Sequence, residues 1–251
     1  MTTKIAAVIP ARMASQRLPG KPLLEIEGLP MIEHVRRRVL LAKGFSRVVV
    51  ATCDPIIAET VEDYGGEVLM TSPAHQVATE RIIEAIQHLD CTHVINVQGD
   101  EVLVLPSDLE KMTSAIQAHP EKPVWNAVAP LESEETLKDQ SIVKCRLSPS
   151  GRILSFVREG SSETGPLYWV IGLLAYRRGI LEEFARWKRS ALEAKASIEQ
   201  MRFLENDVPI ASVLFAKAYP GINEEREVGP VKDYLHEDRL QRSVLRKVLA
   251  S

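Results

Sequence analysis

The sequence predicts an α/β fold with a doubly wound, mostly parallel sheet and a small antiparallel subdomain. Over roughly the first hundred residues, short apolar runs alternate with segments of helical periodicity. Such runs are typical of strands buried on both faces of a parallel sheet, and their alternation with helices indicates right-handed crossovers. Beyond this region, successive β-rich runs with a hairpin signal between two of them favour antiparallel pairing.

The first strand is expected at 4–11, where KIAAVIPA is apolar almost throughout. A helix at 30–44 follows, because Ile32, Val35 and Val39 recur at helical spacing between an initial proline and a final glycine. By the same criteria the chain continues with strands at 46–52, 66–70 and 92–100 and with helices at 55–65 and 79–89.

The second half is less regular. Its strands are expected at 123–131, 141–148, 152–159, 167–176 and 209–218, with a hairpin turn at SPSG, 148–151. Helices are expected at about 178–188 and 190–206 and as a C-terminal amphipathic helix at 233–249, while 158–166 is the most loop-like segment. We find no convincing linker, so we predict a single domain over 1–251 with a subdomain around 123–217.

Composition limits the function. The 251 residues carry a formal net charge of −3, which argues against a general nucleic-acid or membrane-surface binder. No apolar run is long enough to cross a membrane, and Pro10 and Arg12 cut off the N-terminal apolar stretch, so no signal peptide is expected. The widely spaced Cys53, Cys91 and Cys145 fit neither a disulfide framework nor a zinc site. We predict a cytoplasmic protein.

A basic loop follows the first strand. Residues 11–23 contain Arg12, Arg17 and Lys21, which repel one another unless an anion compensates them. In an open parallel sheet, ligands bind at the carboxyl ends of the strands, where this loop begins. The loop is therefore a candidate phosphate site, with a solvated basic loop as the alternative. Its spacing matches neither the P-loop nor the dinucleotide fingerprint.

A carboxylate follows the fourth expected strand. The motif NVQGDEV at 96–102 puts Asp100 at the same sheet edge as the basic loop. Mg²⁺ in nucleotide sites is held by one or two carboxylates together with phosphate oxygens. Asp100 is thus a candidate Mg²⁺ ligand, and a turn or helix-capping role is the alternative.

Several motifs together resemble the 3-deoxy-manno-octulosonate cytidylyltransferase family. They are IPARMASQRLPGKPL, ATCD, GGEVLMTSPAHQVATERI, VINVQGDE and IEQMRFL. The resemblance implies a Rossmann-like nucleotidyltransferase fold. It also implies an enzyme in which the anomeric hydroxyl of a sugar acid attacks the α-phosphate of CTP, giving a CMP-sugar and pyrophosphate with the help of Mg²⁺.

The resemblance assigns nucleotide-binding roles to the basic loop. Ala11 begins this stretch, Arg12 and Lys21 would bind the triphosphate, and Arg17 would share that work. Lys21, Arg12 and Asp100 would be the catalytic residues. The family reads the cytosine with HQSGTER, which is HQVATER here, so Arg81 is the candidate base-reading residue. A helix-surface arginine is the alternative for Arg81.

The acceptor pocket is where the chain departs from the family. Gln98, which we also count with the nucleotide-binding residues, and Gln200 match sugar-contacting glutamines; a buried, satisfied polar residue is the alternative for Gln200. Val170 replaces a histidine and Leu174 a tyrosine of the family pattern. Because both changes remove hydrogen-bonding groups, we expect a modified octulosonate or another ulosonic acid rather than the unmodified sugar.

The second metal ligand is ambiguous. The family carries it in PGTGVDTPEDL, where this chain has PGINEEREVGPVKDYLHEDRL with an apparent insertion. Counting from Pro220 selects Glu225, matching on the following helix selects Asp233, and Glu227 is close by. We favour Asp233, because a short aspartate at a helix start suits Mg²⁺.

Two rival functions stay open. One is a nucleotidyltransferase that joins a nucleotide to a sugar 1-phosphate, although the loop here lacks the Gly-rich start of that branch. The other is a non-catalytic nucleotide-binding paralogue. The family resemblance further implies a homodimer that serves lipopolysaccharide or surface polysaccharide biosynthesis, with CTP and a small acidic sugar as its partners and without nucleic acid or membrane.

Overall fold

The computed structural model describes residues 2–15, 17–131, 133–159 and 165–251. The chain forms two compact units, Met1–Ser114 with Tyr219–Ser251, and Ala115–Ala218. Residues 160–164, within the loop-like segment expected at 158–166, lie outside the described residues. Among the described residues, no helix combines the length and apolarity needed to cross a membrane.

Strands and helices alternate along the first unit. The strands are β1 (Ile5–Ala11), β2 (Glu25–Ile26), β3 (Leu29–Pro30), β4 (Arg47–Thr52), β5 (Val68–Met70), β6 (His93–Val97), β7 (Val124–Pro130), β8 (Lys144–Leu147), β9 (Arg152–Val157), β10 (Tyr168–Arg177) and β11 (Ile210–Leu214). The helices are α1 (Met31–Leu40), α2 (Pro55–Asp63), α3 (Ala78–Ala85), α4 (Pro106–Ala118), α5 (Glu134–Lys138), α6 (Arg178–Phe184), α7 (Ala191–Ala196), α8 (Met201–Glu205), α9 (Val228–Glu237) and α10 (Arg239–Ala250).

The sheet of the first unit is parallel, in the order β5–β4–β1–β6. In the central strand β1, Val8 is paired with Val49 of β4 and with Asn96 of β6. The apolar run of β1 is buried nearly throughout, as expected for a strand covered on both faces. Because the strands run in the same direction, the segments that follow β1, β4 and β6 all leave from one edge.

The C-terminal helix expected at 233–249 is wrong as a single element. Two helices, α9 and α10, meet at Asp238, whose extended backbone ends the first of them. The Asp238 side chain accepts hydrogen bonds from the backbone N–H groups of Leu240 and Gln241, so it caps the second helix. Both helices contribute to a buried cluster in the first unit, which comprises Ile26, Met31, Val102, Leu103, Ile222, Val231, Leu235 and Leu245.

Three further elements differ from the expectations. The helix α4 and the short β2–β3 hairpin were not predicted. The helix expected at 190–206 is interrupted, because Ser197 adopts a left-handed conformation with φ 52° and ends α7.

The second unit has a mixed sheet in the order β10–β7–β11–β9–β8. The antiparallel prediction is confirmed for β10 with β7 and for the β8–β9 hairpin, whose turn is closed by Gly151 N–H donating to the Ser148 carbonyl. It is wrong for β11, which runs parallel to β7. The register between β10 and β7 shifts between Val170 and Leu174, and the Asn126 side chain donates to the carbonyls of Ile171 and Leu173 in that interval.

A buried ion pair joins α7 to α8. Glu193 accepts two hydrogen bonds from Arg202, at 2.7 and 2.6 Å, and the two side chains are only 1% and 4% exposed. The Arg202 guanidinium also lies 4.2 Å from the centroid of the Phe184 ring. Both groups are desolvated, so their two-point contact compensates a charge that neither could keep alone.

We expect Glu193→Gln to lower the free energy of unfolding by about 3–5 kcal/mol, because it leaves the buried Arg202 charge uncompensated. Urea unfolding measures this value. Glu182→Gln is the matched control, since Glu182 pairs with Arg178 at the surface and its loss should cost less than about 1 kcal/mol. Equal effects of the two variants would contradict the prediction.

Candidate functional site

Lys21 and Asp100 form an ion pair in the first unit. Lys21 begins a short 3₁₀ helix, Lys21–Leu23, after Gly20 turns the chain with φ 74°. Asp100 lies in the turn that follows β6. The Lys21 Nζ atom is 2.8 Å from Asp100 Oδ2, and each side chain is 16% exposed. The structure thus brings together the basic loop and the carboxylate that the sequence predicts at one sheet edge.

The loop cations also reach a segment near the C-terminus. The Asn223 Oδ1 atom lies 3.5 Å from Lys21 Nζ and 3.3 Å from Arg17 Nη2. Arg17 in addition pairs with Glu224 at 3.4 Å. The chain itself therefore supplies carboxylates to two of the three cations, whereas the sequence alone pointed to an anionic ligand.

The backbone of residues 219–227 is fixed against Asp100. Ile222 is fully buried, and its N–H donates to the Asp100 carbonyl at 3.2 Å. A Cβ on Gly221 would come within 3.0 Å of that same carbonyl oxygen, so only glycine allows this close approach. These contacts hold Asn223 beside Lys21.

The candidate second carboxylates have other surroundings. Glu227 accepts hydrogen bonds from the backbone N–H groups of Asn223 and Glu224 in a capping box. Glu225 is exposed in a short 3₁₀ helix. Asp233 is exposed within α9, which begins at Val228, so the expectation of an aspartate at a helix start is wrong.

The capping box also gives a different match to the family segment. Aligning Glu224 and Glu227 with the threonine and the second aspartate of DTPED places Asn223 opposite the first aspartate. The apparent insertion before the helix is then unnecessary. The sequence analysis missed Asn223 because it counted from the Pro-Gly pair rather than from the helix start.

Arg12 is exposed directly after β1. The loop that follows is tied to the end of β4, because Met13 N–H donates to Asp54 Oδ2 at 2.8 Å. Asp54 belongs to the ATCD motif, and its own N–H donates to Thr52 Oγ1. This contact gives the carboxylate of that motif a physical role: it holds the first turn of the basic loop.

Arg81 is buried rather than on a helix surface. It lies in α3 and is 4% exposed, so the surface alternative is wrong. Its guanidinium donates to Thr71 Oγ1, and Nη2 lies 3.4 Å from Cys53 Sγ. The neighbouring histidine of the same motif, His75, pairs with Glu84, whose pKa is lowered chiefly by the Ser72 N–H that it accepts.

The two candidate acceptor glutamines have different environments. Gln98 is partly exposed, and its carbonyl accepts from Glu101 N–H in the turn that contains Asp100. Gln200, in the second unit, is buried and donates to Asn126 Oδ1 at 3.2 Å. Since Asn126 in turn fills the irregularity of β10, this contact fits the structural alternative for Gln200.

The two departures from the acceptor pattern lie on β10. Leu174 is fully buried and Val170 nearly so, both in the second unit. Apolar side chains at these positions pack in the core without needing polar partners.

Comparisons with known proteins give consistent results. A family model described as Cytidylyltransferase matches residues 6–210. A 3-deoxy-manno-octulosonate cytidylyltransferase of Acidithiobacillus ferrooxidans is 37% identical over 246 residues, covering 90% of this chain and 97% of the relative. One of Rhodopseudomonas palustris is 43% identical over 215 residues, covering 82% and 87%.

Solved structures agree. The structure of CMP:2-keto-3-deoxy-manno-octonic acid synthetase complexed with CTP matches with a TM-score of 0.88 at 32% identity, covering 94% of this chain and 100% of that one. The inositol-1-phosphate CTP transferase from T. maritima has a TM-score of 0.72 at 14% identity and covers 97% of both chains, so it shows the fold alone. The predicted nucleotidyltransferase fold is confirmed.

Proposed function

Because the chain belongs to the cytidylyltransferase family, we propose that it transfers CMP from CTP to a sugar acid of the 3-deoxy-octulosonate type and releases pyrophosphate. The observation that carries the proposal is the Lys21–Asp100 pair at the carboxyl edge of a parallel sheet. The relatives' names and the CTP complex of the similar structure support the choice of substrates.

The chemistry follows from charge and positioning. Arg12, Arg17 and Lys21 bind the triphosphate, so that the anomeric hydroxyl can attack the α-phosphate in line with the departing pyrophosphate. Lys21 is the partly buried cation of the three, and its charge is therefore the least screened by water. Its largest contribution comes as negative charge develops on the α-phosphate and the leaving group.

We include Mg²⁺ in the proposal, with Asp100 as its protein ligand. The described part of the chain holds no group of three or more His, Cys, Asp or Glu side chains suited to a metal. A single partly exposed carboxylate nevertheless fits Mg²⁺, which keeps several waters and binds substrate phosphates. The bound ion supplies Lewis-acid neutralisation of phosphate charge. Glu225, Glu227 and Asp233 are weaker candidates because none has a printed contact with Asp100 or Lys21.

Arg81 is the proposed reader of the cytosine. We expect Arg81→Gln to raise the KM for CTP about 10- to 100-fold and to reduce the preference for CTP over UTP, because a donor built for the base is lost. Steady-state kinetics with both nucleotides measures this. Arg47→Gln, which alters an exposed arginine of β4, is the control. An unchanged CTP/UTP ratio in a folded Arg81→Gln protein would contradict the role.

The acceptor is proposed to be a modified octulosonate or another ulosonic acid. The buried apolar Val170 and Leu174 support this, because hydroxyls that pair with polar groups in the family would lose those partners here. Gln98 remains the better-exposed candidate for contact with the sugar, and Gln200 supports the β10 region through Asn126.

The test is pyrophosphate release with each nucleoside triphosphate across a panel of ulosonic acids and sugar 1-phosphates. We expect turnover with CTP and one class of ulosonic acid. Turnover with a sugar 1-phosphate would instead favour the rival nucleotidyltransferase. CTP binding without any metal-dependent pyrophosphate release would favour a non-catalytic paralogue. Efficient use of unmodified 3-deoxy-manno-octulosonate alone would overturn the proposal of an altered acceptor.

The family relationship also supports three coarser expectations that belong to this proposal. The protein acts in the cytoplasm as a homodimer, with the subdomain around 123–217 contributing to acceptor binding and dimer contacts. Its CMP-sugar product feeds the synthesis of lipopolysaccharide or another surface polysaccharide.

A further inference from the structure

A neutral amide oxygen lies between the two paired cations of the basic loop. Asn223 Oδ1 is within hydrogen-bond distance of both Lys21 Nζ and Arg17 Nη2. Each cation has in addition one carboxylate of its own, Asp100 for Lys21 and Glu224 for Arg17. The amide is the one group that contacts both cations among the contacts described here, and it carries no charge.

The position of Asn223 is set by its backbone rather than by the cations. Its N–H donates to Glu227 in the capping box, and the preceding Ile222 is buried and bonded to the Asp100 carbonyl. Gly221 allows that close approach. The side-chain oxygen is therefore held at a fixed place, and the flexible Lys21 and Arg17 side chains adapt to it.

The neutrality of this acceptor has a functional consequence. A carboxylate at position 223 would join Asp100 and Glu224 in compensating Lys21 and Arg17, and it would repel an incoming triphosphate. An amide orients the same N–H donors while leaving their charge available to phosphate oxygens. It also leaves Asp100 without a second carboxylate beside it for binding a divalent cation.

We propose that Asn223 is a positioning residue that spaces Lys21 and Arg17 for the phosphate groups of the nucleotide without neutralising them. Metal-free nucleotide binding is consequently stronger than it would be with an aspartate at this position. This inference rests on the proposed function for the identity of the nucleotide, but not for its phosphate chemistry.

The test is calorimetric binding of CTP and of inorganic triphosphate to the full chain, in EDTA and in millimolar Mg²⁺, with no acceptor present. The variants are Asn223→Asp, which keeps the shape and adds charge, and Asn223→Ala, which removes the acceptor. We expect Asn223→Asp to raise the Kd for both ligands about tenfold in EDTA, with the difference shrinking in Mg²⁺. We expect Asn223→Ala to raise the Kd severalfold in both conditions. The melting temperature of each variant is recorded alongside.

The outcomes separate the inference from the proposed function. Wild-type affinity of both variants in EDTA would overturn the role of Asn223, as would equal changes that do not respond to Mg²⁺. If Asn223→Asp does not fold, wild-type affinity of Asn223→Ala still overturns it. Binding of inorganic triphosphate but not of CTP would remove the proposed function and leave the inference to be decided by the triphosphate data. Failure of the wild-type chain to bind either ligand overturns both.

Discussion

Replacing Lys21 with alanine is expected to lower kcat about 10²- to 10³-fold, the magnitude typical of removing one preorganised charge from a transition state. Lys21 is 2.8 Å from Asp100 and only 16% exposed, so water would screen its charge poorly and could not replace it. We expect the KM for CTP to change less than kcat, because the ground-state triphosphate keeps Arg12 and Arg17. Single-turnover measurements of CMP transfer isolate the chemical step.

The matched control for that experiment is Lys4→Ala. Lys4 also forms an ion pair with an aspartate in the first unit, Asp90, but that pair is exposed and lies away from the basic loop. Its loss should leave kcat within about twofold. Near-normal turnover of the Lys21 variant would remove Lys21 from the catalytic residues, whatever the control shows.

Replacing Asp100 with asparagine is expected to lower kcat by a similar factor, about 10²–10³. The change keeps the shape of the side chain but removes the charge that binds Mg²⁺. It also frees Lys21 from its carboxylate, so CTP should bind at least as tightly as to the wild type in EDTA. Lower turnover together with unimpaired metal-free binding distinguishes this role from a general loss of structure.

Kinetics over a range of Mg²⁺ concentrations measure the effect of Asp100→Asn. The dependence on Mg²⁺ should move to higher concentrations in the variant. Asp90→Asn, at an exposed position, is the control and should leave the Mg²⁺ dependence unchanged. A variant with normal turnover at low Mg²⁺ would show that Asp100 is a turn residue, which is the alternative that its position after β6 left open.

The first unit was largely predictable because its signals are local. An apolar run such as that of β1 specifies a buried parallel strand, and the loop after such a strand must leave at the ligand-binding edge. The meeting of Lys21 and Asp100 follows from these two facts. The helix α4 also carried a usable signal, since Leu109, Met112 and Ile116 are buried at helical spacing behind an initial proline.

Side-chain partners that come from distant segments were not predictable. Asn223 reaches Lys21 because Gly221 and Ile222 pack on Asp100, which no periodicity reveals. Burial of Arg81 in α3 likewise depends on Thr71 and Cys53, which lie outside its own helix.

Backbone conformation decided the remaining differences. The periodicity expected at 233–249 continues through Asp238, but this residue prefers to cap the next helix. Ser197 adopts a left-handed conformation that the sequence pattern around it does not announce. Gln200 matched a sugar-contacting position of the family, yet its amide is used by Asn126. Such competition between local hydrogen bonds and longer patterns is visible only in the folded chain.

The most direct measurement is ³¹P NMR of the products formed from CTP, Mg²⁺ and the preferred ulosonic acid. We expect one new phosphorus signal from a CMP-sugar together with the signal of pyrophosphate, because a single phosphoryl group joins the nucleoside to the sugar acid. Two coupled signals from a diphosphate-linked sugar, formed only with sugar 1-phosphates, would contradict a sugar-acid cytidylyltransferase.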